Sequence, residues 1–356
     1  MMMVKLPGYE TLIHYLQQGL GEKQVFVPAS AEGKEGHMPL GSLNTVDLAQ
    51  MTALTFQEKP LRNSIKSLFF PDTETYLTYR KEEGRMVMET PGDMMPQVLV
   101  GAKACDLESL NLIDRVFLAD PVDTLYAEKR AKTLILAAPC RQQGTYCRCE
   151  AFGVDRINPA ADVTMYQETA GAAEPLYLKA LTPAGETFLE DLMKGCTGAC
   201  IEAESVAVTE IPWQAVPLQE KPLSPQEVKD QVDTLFEHPL WEELAMRCLG
   251  CATCTYYCPT CHCYDIRDFS RQEAGERYRT WDSCMFTSFT NMAGGHNPRP
   301  HRKDRIQNRF FHKLNYFVKK QGPLACVGCG RCGDACPVGI SMDTVLNRIG
   351  GDRHDA

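Results

Sequence analysis

The sequence predicts an α+β protein, in which a mixed α/β domain over residues 1–210 precedes a cysteine-rich domain over residues 236–350. Runs with the composition of β-strands alternate with helical patterns through the first 210 residues. The strand-like runs are residues 24–29, 67–71, 75–80, 85–90, 97–102 and 133–139, and one helical pattern covers residues 107–117. Four prolines between Ile211 and Gln226 predict a linker, which with the start of a connecting helix near Ser224 occupies residues 211–235.

The composition is typical of a folded protein with metal-binding cysteines. The chain holds 17 cysteines in 356 residues and carries a net charge of −9. Its N-terminus lacks the features of a secretory signal, and no segment approaches the roughly 20 apolar residues that span a bilayer. We therefore expect a soluble, cytoplasmic protein with no membrane partner, and in that reducing compartment many cysteines suggest metal ligation before disulfides.

Two copies of one cysteine motif lie in the second domain. Both follow the pattern C-x2-C-x2-C-x3-C with a proline next, at Cys248, Cys251, Cys254 and Cys258 and again at Cys326, Cys329, Cys332 and Cys336. Three thiolates at steps of three residues match three irons on one face of a 4Fe–4S cubane. Zinc sites instead use ligand pairs separated by a longer span, which disfavours a zinc or purely structural role. The tandem motifs predict a ferredoxin-like domain with two 4Fe–4S clusters.

The fourth cysteine of each motif is expected to bind the cluster of the other motif, as it does in two-cluster ferredoxins. This crossed ligation gives a first cysteine set, Cys248, Cys251, Cys254 and Cys336, and a second cysteine set, Cys326, Cys329, Cys332 and Cys258. Small residues such as Gly250 and Gly328 let the backbone wrap closely and direct amides at sulfur. Neither motif offers an open coordination position for a substrate, so electron transfer is the expected role.

A long insert, predicted to be helical over residues 264–322, separates the two motifs. Residues 267–320 carry 12 lysines and arginines against five acids, in a chain that is acidic overall. The excess charge could be a solvated face, or a basic layer that offsets the thiolate clusters and docks a partner protein. Nucleic acid is a weak third interpretation, because the segment lacks a recognised binding module.

Several segments of the chain resemble one family of redox proteins. They are GAKACDLESLNLIDRVF, CRQQGTYCRCEAFG, HPLWEELAMRCLGCATCTYYCPTCHCYDI, GERYRTWDSCMF, NMAGGHNPRP, RFFHKLNYF and CVGCGRCGDACP. They are similar to the A subunit of anaerobic sulfite reductase and equally to the beta subunit of cytoplasmic sulfhydrogenases. The resemblance implies a subunit that passes electrons between a flavin and pyridine-nucleotide subunit and a terminal catalytic subunit. The terminal subunit is a sirohaem sulfite reductase in one branch and a nickel–iron hydrogenase in the other.

Four further cysteines in the first domain form a third cysteine set, Cys105, Cys140, Cys147 and Cys149. Cys105 and Cys140 each follow a strand-like run, and a helix lies between the runs. Because a βαβ unit brings the carboxyl ends of its strands to one sheet edge, these cysteines should approach each other. A third 4Fe–4S cluster is the favoured interpretation, with zinc or ordinary buried cysteines as alternatives.

Other cysteines are less informative. Cys261, Cys263 and Cys284 could hold a fourth cluster with a ligand such as His262, but packing beneath the second cluster is favoured, since three thiols do not fill a cubane. Cys196 and Cys200 have helical spacing and are expected to face a core.

The sequence thus predicts an iron–sulfur electron-transfer subunit of an anaerobic, multi-subunit oxidoreductase. Its partners would be a flavin/NAD(P)H-binding subunit and a terminal redox subunit, and it would lack a substrate site of its own. The alternative is a stand-alone iron–sulfur oxidoreductase with a substrate site in the N-terminal domain. No G-x-G-x-x-G follows a strand-like run, so no nucleotide is expected on this chain, which weighs against the alternative.

Overall fold

The computed structural model describes residues 2–31, 34–43, 47–56, 60–140, 144–167, 174–196, 201–202 and 225–351. The chain divides into two compact units. The first contains Met1–Ile65, Met95–Ser109 and Lys129–Leu218, and the second contains Lys66–Met94, Leu110–Glu128 and Gln219–Ala356. This grouping differs from the linear division expected from the sequence, because two early segments belong with the cysteine-rich residues. The expected linker lies outside the described residues as far as residue 224, and a helix begins at Pro225.

The described residues form twelve strands in two sheets. The strands are β1 (Met3–Leu6), β2 (Gln24–Ala31), β3 (Lys34–Pro39), β4 (Thr73–Glu82), β5 (Arg85–Glu89), β6 (Gln97–Ala102), β7 (Thr133–Ala137), β8 (Val163–Tyr166), β9 (Leu176–Ala180), β10 (Ile201–Glu202), β11 (Tyr264–Arg271) and β12 (Ala274–Trp281). The first unit holds an eight-stranded sheet in the order β10-β1-β9-β8-β7-β6-β2-β3. The second unit holds a four-stranded sheet in the order β11-β12-β4-β5.

Thirteen α-helices lie in the described residues. They are α1 (Tyr9–Gln18), α2 (Leu48–Thr55), α3 (Lys66–Phe69), α4 (Ala104–Phe117), α5 (Thr124–Ala131), α6 (Pro183–Gly195), α7 (Pro225–Gln231), α8 (Leu240–Arg247), α9 (Thr253–Tyr256), α10 (Arg302–Phe311), α11 (Phe317–Gln321), α12 (Arg331–Asp334) and α13 (Met342–Gly351). A π-helical turn over His312–Tyr316 joins α10 to α11. None of the helices in the described ranges is both long and apolar enough to cross a bilayer.

The centre of the eight-stranded sheet is parallel. Strands β2, β6, β7 and β8 run in one direction, and β6 pairs with β7 from Gln97 opposite Thr133 to Ala102 opposite Ala137. Strand β6 is buried along its whole length, which explains its nearly continuous apolar sequence, since central parallel strands are covered on both faces. The parallel β6–β7 pair confirms the predicted βαβ crossover and places the two carboxyl ends at one edge of the sheet.

Amphipathic helices complete the core of the first unit. Helix α1 buries Tyr9, Leu12, Ile13 and Leu16, which recur at the spacing of one helical face. The Tyr9 hydroxyl lies 2.9 Å from that of Thr55, which satisfies both buried polar groups. The core therefore covers this sheet and leaves its carboxyl edge to carry polar and sulfur groups.

One strand prediction is wrong. Three of residues 67–71 belong to helix α3, and Phe69 and Phe70 are fully buried. A short apolar run fits a buried helical turn as well as a strand, so its composition could not separate the two.

The insert between the cysteine motifs is helical only in its second part, which corrects the sequence-based expectation. Its first part is the β11–β12 hairpin, and β12 pairs with β4 from Ala274 opposite Arg80 to Thr280 opposite Thr73. The partner strand is about 200 residues away in the sequence, so the pairing depends on a contact that local composition does not encode.

A buried arginine anchors the four-stranded sheet. Arg279 on β12 is fully buried and forms ion pairs with Glu74 on β4 and Asp123. Its guanidinium also packs over the rings of Phe70 and Phe117. Two carboxylates and aromatic faces offset the desolvation of this charge, so one basic residue of the insert has a structural role.

Candidate iron–sulfur centres

The first loop, residues 248–258, is built for close wrapping. Helix α8 ends at Arg247, and Cys248 follows in an extended conformation. Gly250 and Ala252 have positive φ angles of 67° and 63°, and the short helix α9 then carries Cys254. The Gly250 N–H donates to the Cys248 sulfur at 3.3 Å, the type of contact that stabilises a thiolate ligand.

The second loop, residues 326–336, repeats this backbone. Gly328 and Gly330 have positive φ angles of 60° and 79°, and the short helix α12 carries Cys332. The Gly328 N–H donates to the Cys326 sulfur at 3.5 Å. The repeated sequence pattern therefore corresponds to a repeated loop conformation.

Cysteines from both loops line one cavity. Its wall includes the whole first cysteine set. Three of these cysteines come from the first loop, and Cys336 comes from the second. The cavity encloses about 480 Å³, part of it open to solvent, and the rest of its wall is mostly apolar side chains. The Ile340 N–H donates to the Cys336 sulfur at 3.3 Å. Four thiols and directed amides around one cavity fit a 4Fe–4S cubane.

The second cysteine set is also drawn together across the two loops. Cys258 is close enough to Cys326 and Cys329 for its charge to raise the pKa of both thiols, after the larger effect of burial. The pKa of Cys326 is raised to about 12. Thr260 links the loops, because its hydroxyl lies 3.3 Å from the Cys258 sulfur and donates to the Ala325 carbonyl at 2.9 Å.

Each of these two cysteine sets thus combines cysteines from both loops. The binding of a cluster by each set stays a prediction. In the part of the chain that the structure describes, no three His, Cys, Asp or Glu side chains could together hold a single metal ion. A cubane has a different requirement, since each of its thiolates binds a separate iron.

Buried cations lie beside the second cysteine set. Lys313, in the π-helical turn, donates to the Thr260 hydroxyl at 2.6 Å and to the Ala325 carbonyl at 2.9 Å. Burial alone would lower the pKa of Lys313, but the thiolates of Cys258 and Cys261 outweigh it and raise the pKa above its usual range. A π turn inserts one extra residue per turn and frequently marks a functional position. Here it carries a charged group that lies against the second set.

Arg309 lies between the two sets. It donates to the Cys254 carbonyl at 2.9 Å. Burial would lower its pKa, but the charges of Cys254 and Cys332, one from each set, raise it. A fixed positive charge between two groups of thiolates reduces their mutual repulsion.

The basic insert is therefore divided between internal and external roles. Arg279, Arg305, Arg309 and Lys313 are buried. Arg305 donates to the carbonyls of Met285, Arg299 and Pro300 at 2.8–3.1 Å, so it holds the backbone of the insert. The exposed Arg302 binds the Cys248 carbonyl at 2.8 Å. The interpretations as a solvated face or as a docking layer therefore apply only to the exposed part of this charge.

Two cysteines of the third set, Cys105 and Cys140, follow the carboxyl ends of the parallel strands β6 and β7 in the first unit. All four cysteines of the third set are buried. Cys105 is in the first turn of α4 after β6, and the Ala138 N–H extends the β7 ladder to the Ala102 carbonyl at 2.9 Å. Burial and then the charge of Cys140 raise the pKa of Cys149 to about 11, so those two thiols are neighbours. Residues 141–143, within the connecting loop, lie outside the described residues.

Two basic residues near the third set were missed by sequence reasoning. The buried Lys103 donates to the carbonyls of Thr55 at 2.7 Å and Pro139 at 3.4 Å. The guanidinium of Arg156 lies 2.7 Å from Glu150 and is close enough to lower the pKa of Cys149, against burial. Lys103 lies two residues before Cys105, so the sequence alone could have indicated a basic residue near this set. Nothing in the cysteine spacing indicated Arg156.

The remaining cysteines fall into two groups by position in the chain. Cys261, Cys263 and Cys284 are partly exposed, and Cys261 hydrogen-bonds Cys258, which lowers the pKa of the Cys258 thiol. Cys196 caps the C-terminal end of α6 and is partly exposed, while Cys200 lies outside the described residues.

Known proteins resemble this chain in sequence. Residues 247–340 match the sequence profile of the 4Fe-4S dicluster domain family. The chain is 31% identical over 288 residues to sulfhydrogenase 2 subunit beta of Pyrococcus furiosus, which covers 80% of this chain and 82% of that protein. No solved structure shows a significant match. With two interleaved cysteine loops in the region that matches the dicluster profile, and this identity over four-fifths of its length, the chain belongs to the family of sulfhydrogenase beta subunits.

Proposed function

We propose that this chain relays electrons between a flavin- and NAD(P)H-binding subunit and a terminal redox subunit of the sulfite reductase or the nickel–iron hydrogenase type. The chain is an iron–sulfur electron-transfer subunit. The observation that supports a relay is the interleaving of the two loops, which puts cysteines from both around one cavity. The cytoplasm is the compartment that suits so many metal-binding thiols.

Electron relay fits the two cysteine sets better than substrate chemistry does. Four cysteines per set supply a thiolate for each iron of a cubane, so no iron keeps an open position. Cys254 of the first set and Cys332 of the second are close enough for the charge on Cys332 to raise the pKa of Cys254, in addition to burial. Clusters bound to these neighbouring cysteines would lie close enough to exchange electrons directly.

A third cluster at the third cysteine set would extend the relay. Its support is the burial of all four cysteines, the position of Cys105 and Cys140 after neighbouring parallel strands, and the proximity of Cys140 to Cys149. The nearby Arg156 supplies positive charge, which stabilises thiolate ligands. Zinc, the alternative, needs its ligands to converge on one ion, which no three such side chains do among the described residues, and iron content and colour would separate the two metals.

The first cluster offers an edge for electron exchange with a partner. Cys251 is exposed, and Leu249 and Met246 beside it are 62% and 74% exposed. Arg302 and Lys303 flank this edge, since Arg302 binds the Cys248 carbonyl and Lys303 lies 3.7 Å from Glu242 on α8. Apolar contacts within a basic rim suit a redox subunit with an acidic rim around its own exposed cofactor.

Anaerobic co-purification tests the proposal. The tagged chain, expressed with its neighbouring genes, should bring down a flavoprotein and a second redox subunit, identified by mass spectrometry. In the complex, NAD(P)H should bleach the cluster absorbance, and higher salt should slow this step because charged surfaces steer the contact. A chain that purifies alone and reduces a substrate directly from NAD(P)H would instead be the stand-alone oxidoreductase.

A further inference from the structure

Two threonine hydroxyls lie against sulfurs of the predicted cluster ligands. The Thr253 hydroxyl lies 3.2 Å from the Cys251 sulfur, and the Thr260 hydroxyl lies 3.3 Å from the Cys258 sulfur. Each threonine follows its cysteine by two residues. The same local spacing therefore places one hydroxyl beside a sulfur of the first cysteine set and another beside a sulfur of the second.

These two contacts acquire a direction when the cysteines bind iron. A hydroxyl both donates and accepts hydrogen bonds, and a free thiol does the same weakly, so either group can supply the proton between them. A cysteine binds metal as the thiolate, which has no proton to give. The threonine hydroxyl is then the donor, and hydrogen bonds to the sulfurs are among the features that set the potential of an iron–sulfur cluster.

A buried cation holds the Thr260 hydroxyl. The Lys313 ammonium group donates to this hydroxyl at 2.6 Å, which occupies one of its lone pairs and leaves its proton for an acceptor. Among the described residues, the hydroxyl reaches the Ala325 carbonyl at 2.9 Å and the Cys258 sulfur at 3.3 Å. Lys313 also donates to the Ala325 carbonyl at 2.9 Å, so that carbonyl keeps a donor when the hydroxyl turns to the sulfur. A charged donor polarises the hydroxyl and strengthens its hydrogen bond to a thiolate.

The surroundings of Thr253 are more open. Cys251 is exposed and Thr253 is partly exposed, so water can also donate to the Cys251 sulfur. Removal of the Thr253 hydroxyl should therefore have the smaller effect, since solvent replaces part of the lost hydrogen bond.

The second loop has no hydroxyl at the two matching positions. Arg331 occupies the position of Thr253, and Val338 occupies that of Thr260. Both threonines thus come from the first loop. If each loop bound its own cluster, both hydroxyls would serve one cluster. With the fourth cysteines crossed, each cluster receives one hydroxyl.

We propose that the Thr253 hydroxyl donates a hydrogen bond to a ligand sulfur of the first cluster and the Thr260 hydroxyl to a ligand sulfur of the second, and that Lys313 strengthens the second bond. The inference rests on the proposed relay and on crossed ligation. Each hydrogen bond stabilises the more negative, reduced state of its cluster and so raises the potential. The threonines therefore tune the two steps of the relay separately.

Replacement of each threonine by valine tests the proposal, because valine keeps the shape of the side chain and removes the hydroxyl. The full chain is purified anaerobically and titrated with a chemical reductant under EPR, with the two signals assigned from Cys258→Ser and Cys336→Ser. Thr260→Val should lower the potential of the second cluster by about 59 mV, a tenfold change in the ratio of reduced to oxidised cluster at a fixed potential. Thr253→Val should lower that of the first cluster by the equivalent of about threefold.

A double-mutant cycle tests the part assigned to Lys313. Lys313→Met should lower the potential of the second cluster less in the Thr260→Val background than in the wild type, because part of its effect passes through the hydroxyl. Additive shifts would overturn the role of Lys313 in strengthening this bond.

The serine variants Thr253→Ser and Thr260→Ser keep a hydroxyl and should retain the wild-type potentials. Unchanged potentials in both valine variants, equal losses in the serine and valine variants, or shifts of the same cluster by both valine variants would overturn the proposal. Thr253 is partly exposed, so Thr253→Val keeps the test decisive if the buried Thr260→Val loses iron. No partner subunit takes part, so a failure to find partners leaves this titration intact. A wild-type chain without two EPR-active clusters would contradict the proposed function itself, before any variant is compared.

Discussion

The two cysteine loops share a backbone but have opposite surroundings. Leu249 in the first loop is 62% exposed, while Val327 at the matching position of the second is 2% exposed. Cys251 is likewise exposed, and its counterpart Cys329 is buried. The cavity of the first set is mostly apolar, whereas Lys313 lies against the second. One repeated motif therefore places the first cysteine set, the site of the proposed outer cluster, at an exposed edge, and the second set, the site of the proposed inner cluster, in a buried position beside a charge.

The difference shows how a duplicated motif can serve two roles. The cysteine spacing sets the cluster type, and the loop backbone supplies amides for the sulfurs. Reduction potential depends further on net charge, hydrogen bonds and exposure around the cluster. Those features come from the insert between the motifs, which contributes Arg309 and Lys313 from α10 and the π turn after it.

The largest expected effect is loss of a cluster when the fourth cysteine of either motif is replaced by serine. These substitutions test whether each cluster takes ligands from both loops. Cys258→Ser should remove or perturb the cluster held by Cys326, Cys329 and Cys332, because Cys258 lies against that set. Cys336→Ser should do the reverse and affect the cluster of the first loop. Low-temperature EPR of the two variants, with iron analysis, distinguishes the clusters. If each variant damaged the cluster of its own motif, crossed ligation would be wrong.

The third cysteine set tests whether a cluster can form without a ferredoxin-like loop. In the full chain, Cys140→Ser should lose about four irons while the EPR signals of the other two clusters remain. The full chain is required, because residues 66–94 and 110–128 belong to the second unit and a fragment ending near residue 220 would divide that unit. Cys196→Ser is the matched control. Loss of one zinc and no iron would identify a structural zinc site.

The sequence predicted the parts of the site that depend on local spacing. Both cysteine motifs and the approach of Cys140 to the end of a parallel strand follow from short-range pattern and βαβ geometry. The β11–β12 hairpin was missed because its partner β4 is remote in the sequence. The split of the basic residues was missed for the same reason, since Lys313 faces Thr260 and Ala325 only in the folded chain. Whether a charged side chain is buried depends on such long-range contacts, and the amino-acid composition of a segment does not reveal them.

Removing the cation beside the inner cluster should shift its potential without removing the cluster. Lys313→Met keeps the length of the side chain but deletes the charge and its hydrogen bonds to Thr260 and Ala325. Loss of positive charge in a buried site disfavours the extra electron, so the potential of the second cluster should become more negative. Breaking this buried network should also lower the free energy of unfolding by about 3 kcal/mol.

A redox titration followed by EPR checks the Lys313 prediction. The first cluster should shift much less, because its cavity wall does not include Lys313. Lys320→Met removes an exposed lysine from α11, the helix that follows the π turn, and should change neither potential. Equal shifts of both clusters in Lys313→Met would contradict the contrast between the loops.

The smallest expected effect concerns the exposed edge of the outer cluster. Met246, 74% exposed on α8, does not line the cavity, so Met246→Glu should leave both clusters intact. A new negative charge inside the basic rim should repel an acidic partner and slow electron exchange about tenfold, a difference of about 1.4 kcal/mol. Met88→Glu makes the same change at a 67% exposed position on β5 and should have little effect. Stopped-flow reduction of the chain by its purified partner, at low and high salt, measures both. If Met246→Glu and Met88→Glu behave alike, electrons enter or leave elsewhere, and the exposure of Leu249 and Cys251 has no part in partner contact.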